Sequence, residues 1–223
     1  MKKAVLFDLD GTLLDRGSSV RRFVEAQHDR LNSSLSHIPK ATYVIRFMEL
    51  DCRGHVWKDK VYQALVEEFS IAGTTWQALL EDYETQFQFA CVPFPGLLPM
   101  LSKLKSEGYS LGIVTNGFGE FQSRSIDGLG IRRYLDAVLI SDVEGVRKPQ
   151  LAIFQRAMEK LDVRSADSTF VGDNPDADIA GAKRAGMRTI WKRHLYSSAP
   201  EKVDAIIDNL DEIPLILQSF EHK

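Results

Sequence analysis

Residues 1–14 read MKKAVLFDLDGTLL, and the reading of the fold turns on them. Ala4, Val5, Leu6 and Phe7 form an unbroken apolar run, the pattern of a strand buried on both faces. The run stops at Asp8, and Asp10, Gly11 and Thr12 follow. Two carboxylates at i and i+2 can point the same way where a strand ends. Gly11 permits a sharp exit of the backbone, and Thr12 adds a hydroxyl. The stretch predicts an acid pair at the carboxyl end of a buried strand, where open α/β sheets hold their ligands. The plainer reading of Asp-Leu-Asp-Gly is a turn with solvated acids. The apolar run before it and the motifs further along favour the site.

Downstream of Leu14 the pattern changes. From Asp15 to about Cys91 the periodicity is helical and no strand is evident. Val20, Phe23, Val24, Gln27 and Leu31 share one face, and Val44, Phe47, Met48 and Leu50 follow a similar spacing. Trp57, Val61, Leu65 and Phe69 form an i, i+4 stripe, and Trp76, Leu79, Leu80, Tyr83 and Phe87 form another. This predicts a four-helix insertion over residues 15–92, about 75 residues and so near the small end of domain size. Pro93 and Pro95 stiffen the return.

Beyond the prolines, helical and strand patterns alternate. Strands are expected at Ser110–Thr115, Ala137–Ile140, Thr169–Val171, Arg188–Trp191 and Ala205–Ile207. Helices are expected at Leu97–Ser106, Gly119–Leu129, Leu151–Leu161 and Asp176–Ala185. Such alternation implies an α/β fold with a mostly parallel sheet covered by helices on both faces, to which the first strand belongs. The core is then 1–14 plus 93–223.

Three later segments carry chemistry. The strand ending at Val114 delivers Thr115, Asn116 and Gly117, a hydroxyl, an amide and exposed N–H groups that suit an anionic oxygen. The same tripeptide is also an ordinary turn. Lys148, with its backbone steadied by Pro149, can bring a cation over the strand ends. Residues 172–178 read GDNPDAD, placing Asp173 at a strand end as Asp8 is placed. Asp176 is explained as a partner of a helix N-terminus, whereas Asp173 is not. Asp8, Asp10 and Asp173 together offer the hard oxygens that Mg²⁺ prefers.

Composition narrows the classes. The chain has 223 residues, 44% hydrophobic and 26% charged, with a net charge of −3. No basic field invites a nucleic-acid polymer or an acidic membrane surface. The lysines at positions 2 and 3 followed by apolar residues resemble the start of a signal peptide, but Asp8 and Asp10 interrupt it too early. Cys52 and Cys91 lack metal-type spacing, and reduced thiols in a cytoplasmic protein are the expectation. His28, His37, His55, His194 and His222 show no ligand spacing.

With these motifs in view, the sequence resembles the haloacid dehalogenase-like hydrolase superfamily, and within it the aspartyl-nucleophile phosphatases. The carrying segments are FDLDGT at 7–12, VTNG at 114–117, the Lys148-Pro149 pair and GDNPDAD at 172–178, in the family's order. A helical insertion after the first motif resembles the family's C1-type cap. The resemblance implies a Rossmann-like core and a Mg²⁺-dependent phosphatase acting on a small phosphate ester such as a nucleotide or sugar phosphate. By the same resemblance, Asp8 is the nucleophile and Asp10 the general acid/base. Thr115 and the Asn116 backbone bind the transferring phosphoryl group, and Lys148 steadies its charge. Asp173 binds Mg²⁺ with Asp8 and the Asp10 carbonyl, while Asp178 supports them as an outer acid or a water-mediated ligand. A monomer or homodimer is expected.

Three alternatives share the fold: a haloacid dehalogenase, a sugar-phosphate mutase, and a non-catalytic metabolite sensor. A halide leaving group needs no acid, so Asp10 and Asp173 count against the first. Specificity is expected from the helical insertion, where Arg46, Arg53, His55 and Trp57 lie near one interhelical loop. The competing expectation is that Trp57 is core and the arginines are solvated.

Overall fold

The computed structural model describes residues 2–193 and 198–221. His194 and His222 lie outside the described residues. The chain divides into two compact units, 1–15 with 93–223, and 16–92.

The first unit is built on six strands: β1 (Ala4–Phe7), β2 (Ser110–Thr115), β3 (Ala137–Ile140), β4 (Ser168–Gly172), β5 (Arg188–Lys192) and β6 (Ala205–Ile207). They lie in the order β3-β2-β1-β4-β5-β6, and every neighbouring pair is parallel. All four residues of β1 are buried, as a parallel strand covered on both faces requires. On one face Leu6, Val114, Leu139 and Phe170 join Ile153, Phe154, Ala157 and Leu161 from the helix Leu151–Leu161 in a single core cluster. The Phe154 and Phe170 rings meet edge to face, with centroids 5.2 Å apart. The helix Leu97–Ser106 packs against β2, and the helix Ile213–Glu221 packs against that helix. The C-terminal helix was not among the sequence expectations.

This order decides where ligands bind. The chain winds one way from β1 to β2 and β3, and the other way to β4, β5 and β6. Strand order therefore reverses at β1, and the crevice beyond the carboxyl ends of β1, β2 and β4 is the place such sheets use. Where the chain leaves this unit and returns, Leu14 bridges Pro93 antiparallel, and the Phe94 N–H donates to the Leu13 carbonyl at 3.0 Å.

The second unit is helical, with Arg16–Arg30, Asn32–Leu35, Lys40–Asp51, Lys58–Glu68 and Trp76–Gln86. Phe23, Tyr43, Phe47, Tyr62, Leu65, Leu79 and Phe87 form its interior. Buried Gln27 spends its amide on the Leu79 carbonyl and the Asp82 carboxylate, and accepts from the Tyr43 and Tyr62 hydroxyls. Trp57 departs from the stripe expected of it. It precedes the first turn of Lys58–Glu68 and is 65% exposed, so Val61, Tyr62 and Leu65 carry the buried face. Trp57 is the extended residue just before the helix, so it falls outside the face that the helix buries.

Candidate active site

The ends of β1, β2 and β4 deliver the polar groups of the site. Asp8 directly follows β1, and its N–H donates to the Val171 carbonyl of β4 at 2.9 Å. Gly11 then adopts φ +82°, and a Cβ there would run into the Asp173 carboxylate. Glycine is needed at this bend both for its conformation and for that close approach. Thr12 donates to Asp8 Oδ2 at 3.4 Å.

Asp173 follows the end of β4. Beyond it the chain turns through a π-helical segment, Pro175–Ala180, before the α-helical turn Gly181–Arg184. The single helix expected from Asp176 is thus two, joined at Gly181. Asn174 caps this segment, its Oδ1 accepting from the N–H groups of Asp176 and Ala177 at 3.0 and 2.9 Å. The wide turn brings Asp178 back over the strand end, where its Oδ2 accepts from the Asn174 N–H at 3.0 Å.

These bends gather charge in a buried place. The ammonium of Lys148 lies 2.5 Å from Asp8 Oδ1 and 2.6 Å from Asp178 Oδ1. Carboxylate oxygens of Asp8, Asp173 and Asp178 lie within 4.8 Å of one another. Burial pushes the Asp8 carboxyl well above the usual range, Asp178 and Asp173 push it further, and Lys148 opposes them. Asp173 is raised to about 7 by burial and by the Asp178 charge. Burial alone would lower the Lys148 ammonium, but the carboxylates of Asp178 and Asp8 outweigh it and hold it raised. Two carboxylates, Asp8 and Asp178, thus contact one ammonium, with the Asp173 carboxylate beside them. Hard oxygen donors with surplus negative charge are the set that suits Mg²⁺.

Lys148 is placed through its main chain. The Asn116 side chain donates from Nδ2 to the Lys148 carbonyl at 3.0 Å and accepts the Lys148 N–H on Oδ1 at 2.9 Å. Thr115, the last residue of β2, is buried beside it in sequence. The Asn116 side chain therefore works on the lysine loop.

A sequence model described as haloacid dehalogenase-like hydrolase matches residues 5–192. The chain belongs to the haloacid dehalogenase-like hydrolases. A glyceraldehyde 3-phosphate phosphatase of Methanopyrus kandleri is 32% identical to this hydrolase over 208 residues, 85% of this chain and 83% of that protein. A solved structure of a phosphatase of the family from Thermococcus onnurineus is 29% identical, with TM-score 0.67, covering 97% of this chain and 98% of its own. A 2-haloacid dehalogenase from Pseudomonas syringae pv. Tomato is similar at 28% identity, with TM-score 0.66, covering 99% and 100%.

Within this hydrolase, Asp8, Lys148, Asp173 and Asp178 come together around one point. The Asp10 carboxylate is not part of that group, and it accepts on Oδ2 from Gln122 Nε2 at 2.8 Å. Two polar contacts went unanticipated. Gln122 is buried on the inner face of the helix Gly119–Gly128 with Ser125 and Ile126. A polar residue on a buried i, i+3, i+4 face was its only sequence signal. Lys192 ends the apolar strand β5 and is buried, with its ammonium over the Phe94 ring and 3.3 Å from the Gly11 carbonyl. Its signal was a cation closing an apolar run. Among the described residues, no helix is long and apolar enough to cross a membrane.

Proposed function

We propose that this protein is a phosphatase that hydrolyses the phosphate ester of a small metabolite, with the phosphoryl group carried in transit on Asp8. One observation carries the reading most: a buried carboxylate at the sheet's switch point, paired with a buried lysine and flanked by two further acids. Phosphatase names among the relatives support it.

In this reading the Asp8 carboxylate attacks phosphorus, and the ester oxygen leaves with a proton from Asp10. Water then attacks phosphorus, gives its proton to Asp10 and frees Asp8. One hard displacement becomes two easier ones. Lys148 offsets the charge of the phosphoryl oxygens and favours the ionised form of Asp8 against its burial. The Thr115 hydroxyl and the Asn116 N–H hold those oxygens. Mg²⁺ would be held by Asp8, the Asp10 carbonyl and Asp173, with Asp178 as an inner or outer partner. When bound, it supplies further charge neutralisation at the phosphoryl group. The sequence position of unit 16–92, directly after the Asp8 motif, supports giving it the family's cap role.

Likeness alone does not separate phosphatase from dehalogenase, because relatives of both names are similar to the chain. Asp10 separates them, since halide departs without a proton. The Asp10→Asn enzyme should therefore lose about 10²–10⁴-fold on alkyl phosphates. Steady-state rates on such esters check this, and an unchanged rate would remove Asp10 from the acid role. Turnover of a panel of phosphorylated metabolites, read as released inorganic phosphate, tests the activity itself. A panel yielding no phosphate would overturn it.

Metal binding has a stability signature. The Asp173 carboxyl is raised from an ordinary 3.8 to about 7, so between these values the folded protein holds a proton that the unfolded chain has lost. Stability from this group is full below pH 4 and is lost as pH rises through 7. A divalent cation favours the ionised carboxylate, so it should stabilise more at high pH. Melting with Mg²⁺ and with chelator should show a larger Mg²⁺ shift at pH 8 than at pH 5. The Asp173→Asn variant should lose most of that difference. Equal shifts in variant and parent would exclude Asp173 as a ligand.

A further inference from the structure

Gln122 stands outside the machinery described so far, yet it touches it. Its side chain is buried, and Nε2 donates both to Asp10 Oδ2, at 2.8 Å, and to the Asn116 carbonyl, at 3.2 Å. Both partners are pure acceptors when Asp10 is ionised, so the amide's orientation is determined. Turned over, Oε1 would face two oxygens. In the orientation observed, Oε1 is buried with no hydrogen-bond partner among the described residues. A buried carbonyl left unsatisfied is a cost that the fold accepts to aim the amide at these two groups. Gly117 belongs to the same arrangement: a Cβ there would come 2.6 Å from Gln122 Nε2. The amide thus sits wedged between the loop that follows β2 and the loop that follows β1.

We propose that Gln122 is a positioning residue for the acid–base step, holding the Asp10 carboxyl by Oδ2 so that Oδ1 is the oxygen that serves the leaving group. The proposal rests on the phosphatase reading and deepens it. The hydroxyl oxygen of a protonated carboxyl is a poor acceptor, so an N–H fixed on Oδ2 confines the proton to Oδ1. Among the described residues, Oδ1 accepts no hydrogen bond, which leaves it available. In the first displacement the ester P–O bond breaks as the Asp8 oxygen bonds to phosphorus, and the Oδ1 proton passes to the departing oxygen. In the second, water bonds to phosphorus, its proton returns to Oδ1, and the P–O bond to Asp8 breaks. The same amide joins Asp10 to the Asn116 backbone. Gln122 therefore sets the distance between the proton donor and the loop that holds the phosphoryl oxygens. Proton transfer tolerates little error in that distance.

The test compares leaving groups. An alkyl alkoxide needs a proton to depart, whereas p-nitrophenolate does not. Gln122→Met keeps the volume and flexibility of the side chain but removes the donor. Its loss in kcat on an alkyl phosphate should exceed its loss on p-nitrophenyl phosphate by at least about tenfold, a part of the full acid contribution. Gln122→Asn, which keeps an amide one methylene too short to span to Asp10, should show the same asymmetry. Equal losses on both esters would mark a merely structural role and overturn the proposal, as would unchanged rates on both. Failure of both variants to fold would overturn it in the same way. A parent enzyme that hydrolysed neither ester would overturn the phosphatase reading, and this inference with it.

Discussion

The Asp8→Asn enzyme is expected to lose turnover on every phosphate ester while keeping its fold. An amide oxygen is a poor nucleophile, and no nearby carboxylate can stand in. Asp173 and Asp178 sit on a different strand end, and Asp178 is tied to Lys148 and to the Asn174 N–H. Removing a nucleophile that acts as part of a unit costs on the order of 10⁶-fold in kcat. The fold should survive because the substitution removes a charge from a place that disfavours it. Burial, with Asp178 and Asp173, pushes the Asp8 carboxyl upward, and only Lys148 pulls it back. Lys148 keeps Asp178 as its partner. Rates on an aryl phosphate with a thermal melt beside them decide it; a folded variant with near-parent activity would contradict the role.

Lys148→Met should have the largest effect on stability. The substitution leaves the Asp8 and Asp178 carboxylates buried without their shared ammonium. Removing one partner of a buried ion pair costs about 3–5 kcal/mol. The lysine loop itself should stay in place, since Asn116 holds it through the Lys148 main-chain N–H and carbonyl, which methionine also has. The loss should shrink at low pH as the stranded carboxyls take up protons. Adding Asp178→Asn should recover part of it, because a surplus charge is then gone. Denaturant melts of the single and double variants measure this. A Lys148→Met melt equal to the parent's at neutral pH would show that the ammonium does not stabilise the cluster. Turnover should fall too, since phosphoryl charge would meet Asp8 without its counter-ion.

What could be read from the sequence follows the apolar runs. Asp8, Thr115 and Asp173 each mark the point where a buried parallel strand stops, and a run of Val, Leu, Ile and Phe shows that point without any tertiary information. Their assembly follows from strand order, because β2 and β4 flank β1. Other features depend on partners far away in the chain. The Asn116 side chain is committed to Lys148, 32 residues on, and Gln122 to Asp10, 112 residues back. No local pattern encodes such pairings. The π-helical turn that returns Asp178 to the cluster also escapes periodicity, since an acid-rich start followed by small residues reads as an ordinary helix. Trp57 shows the converse: its spacing fits a stripe, but the chain at Trp57 is extended and the helix begins one residue later.

The central claim is that Asp8 carries the phosphoryl group, and an acyl phosphate can be trapped. Enzyme mixed with a phosphate-ester substrate, quenched during turnover and reduced with borohydride, should yield homoserine at position 8 in the peptide that contains residues 4–14. The Asp8→Asn enzyme and the substrate-free parent should yield none. Rapid phosphate release with an unmodified residue 8 at every quench time, or reduction appearing at Asp10 or Asp173 instead, would contradict the account.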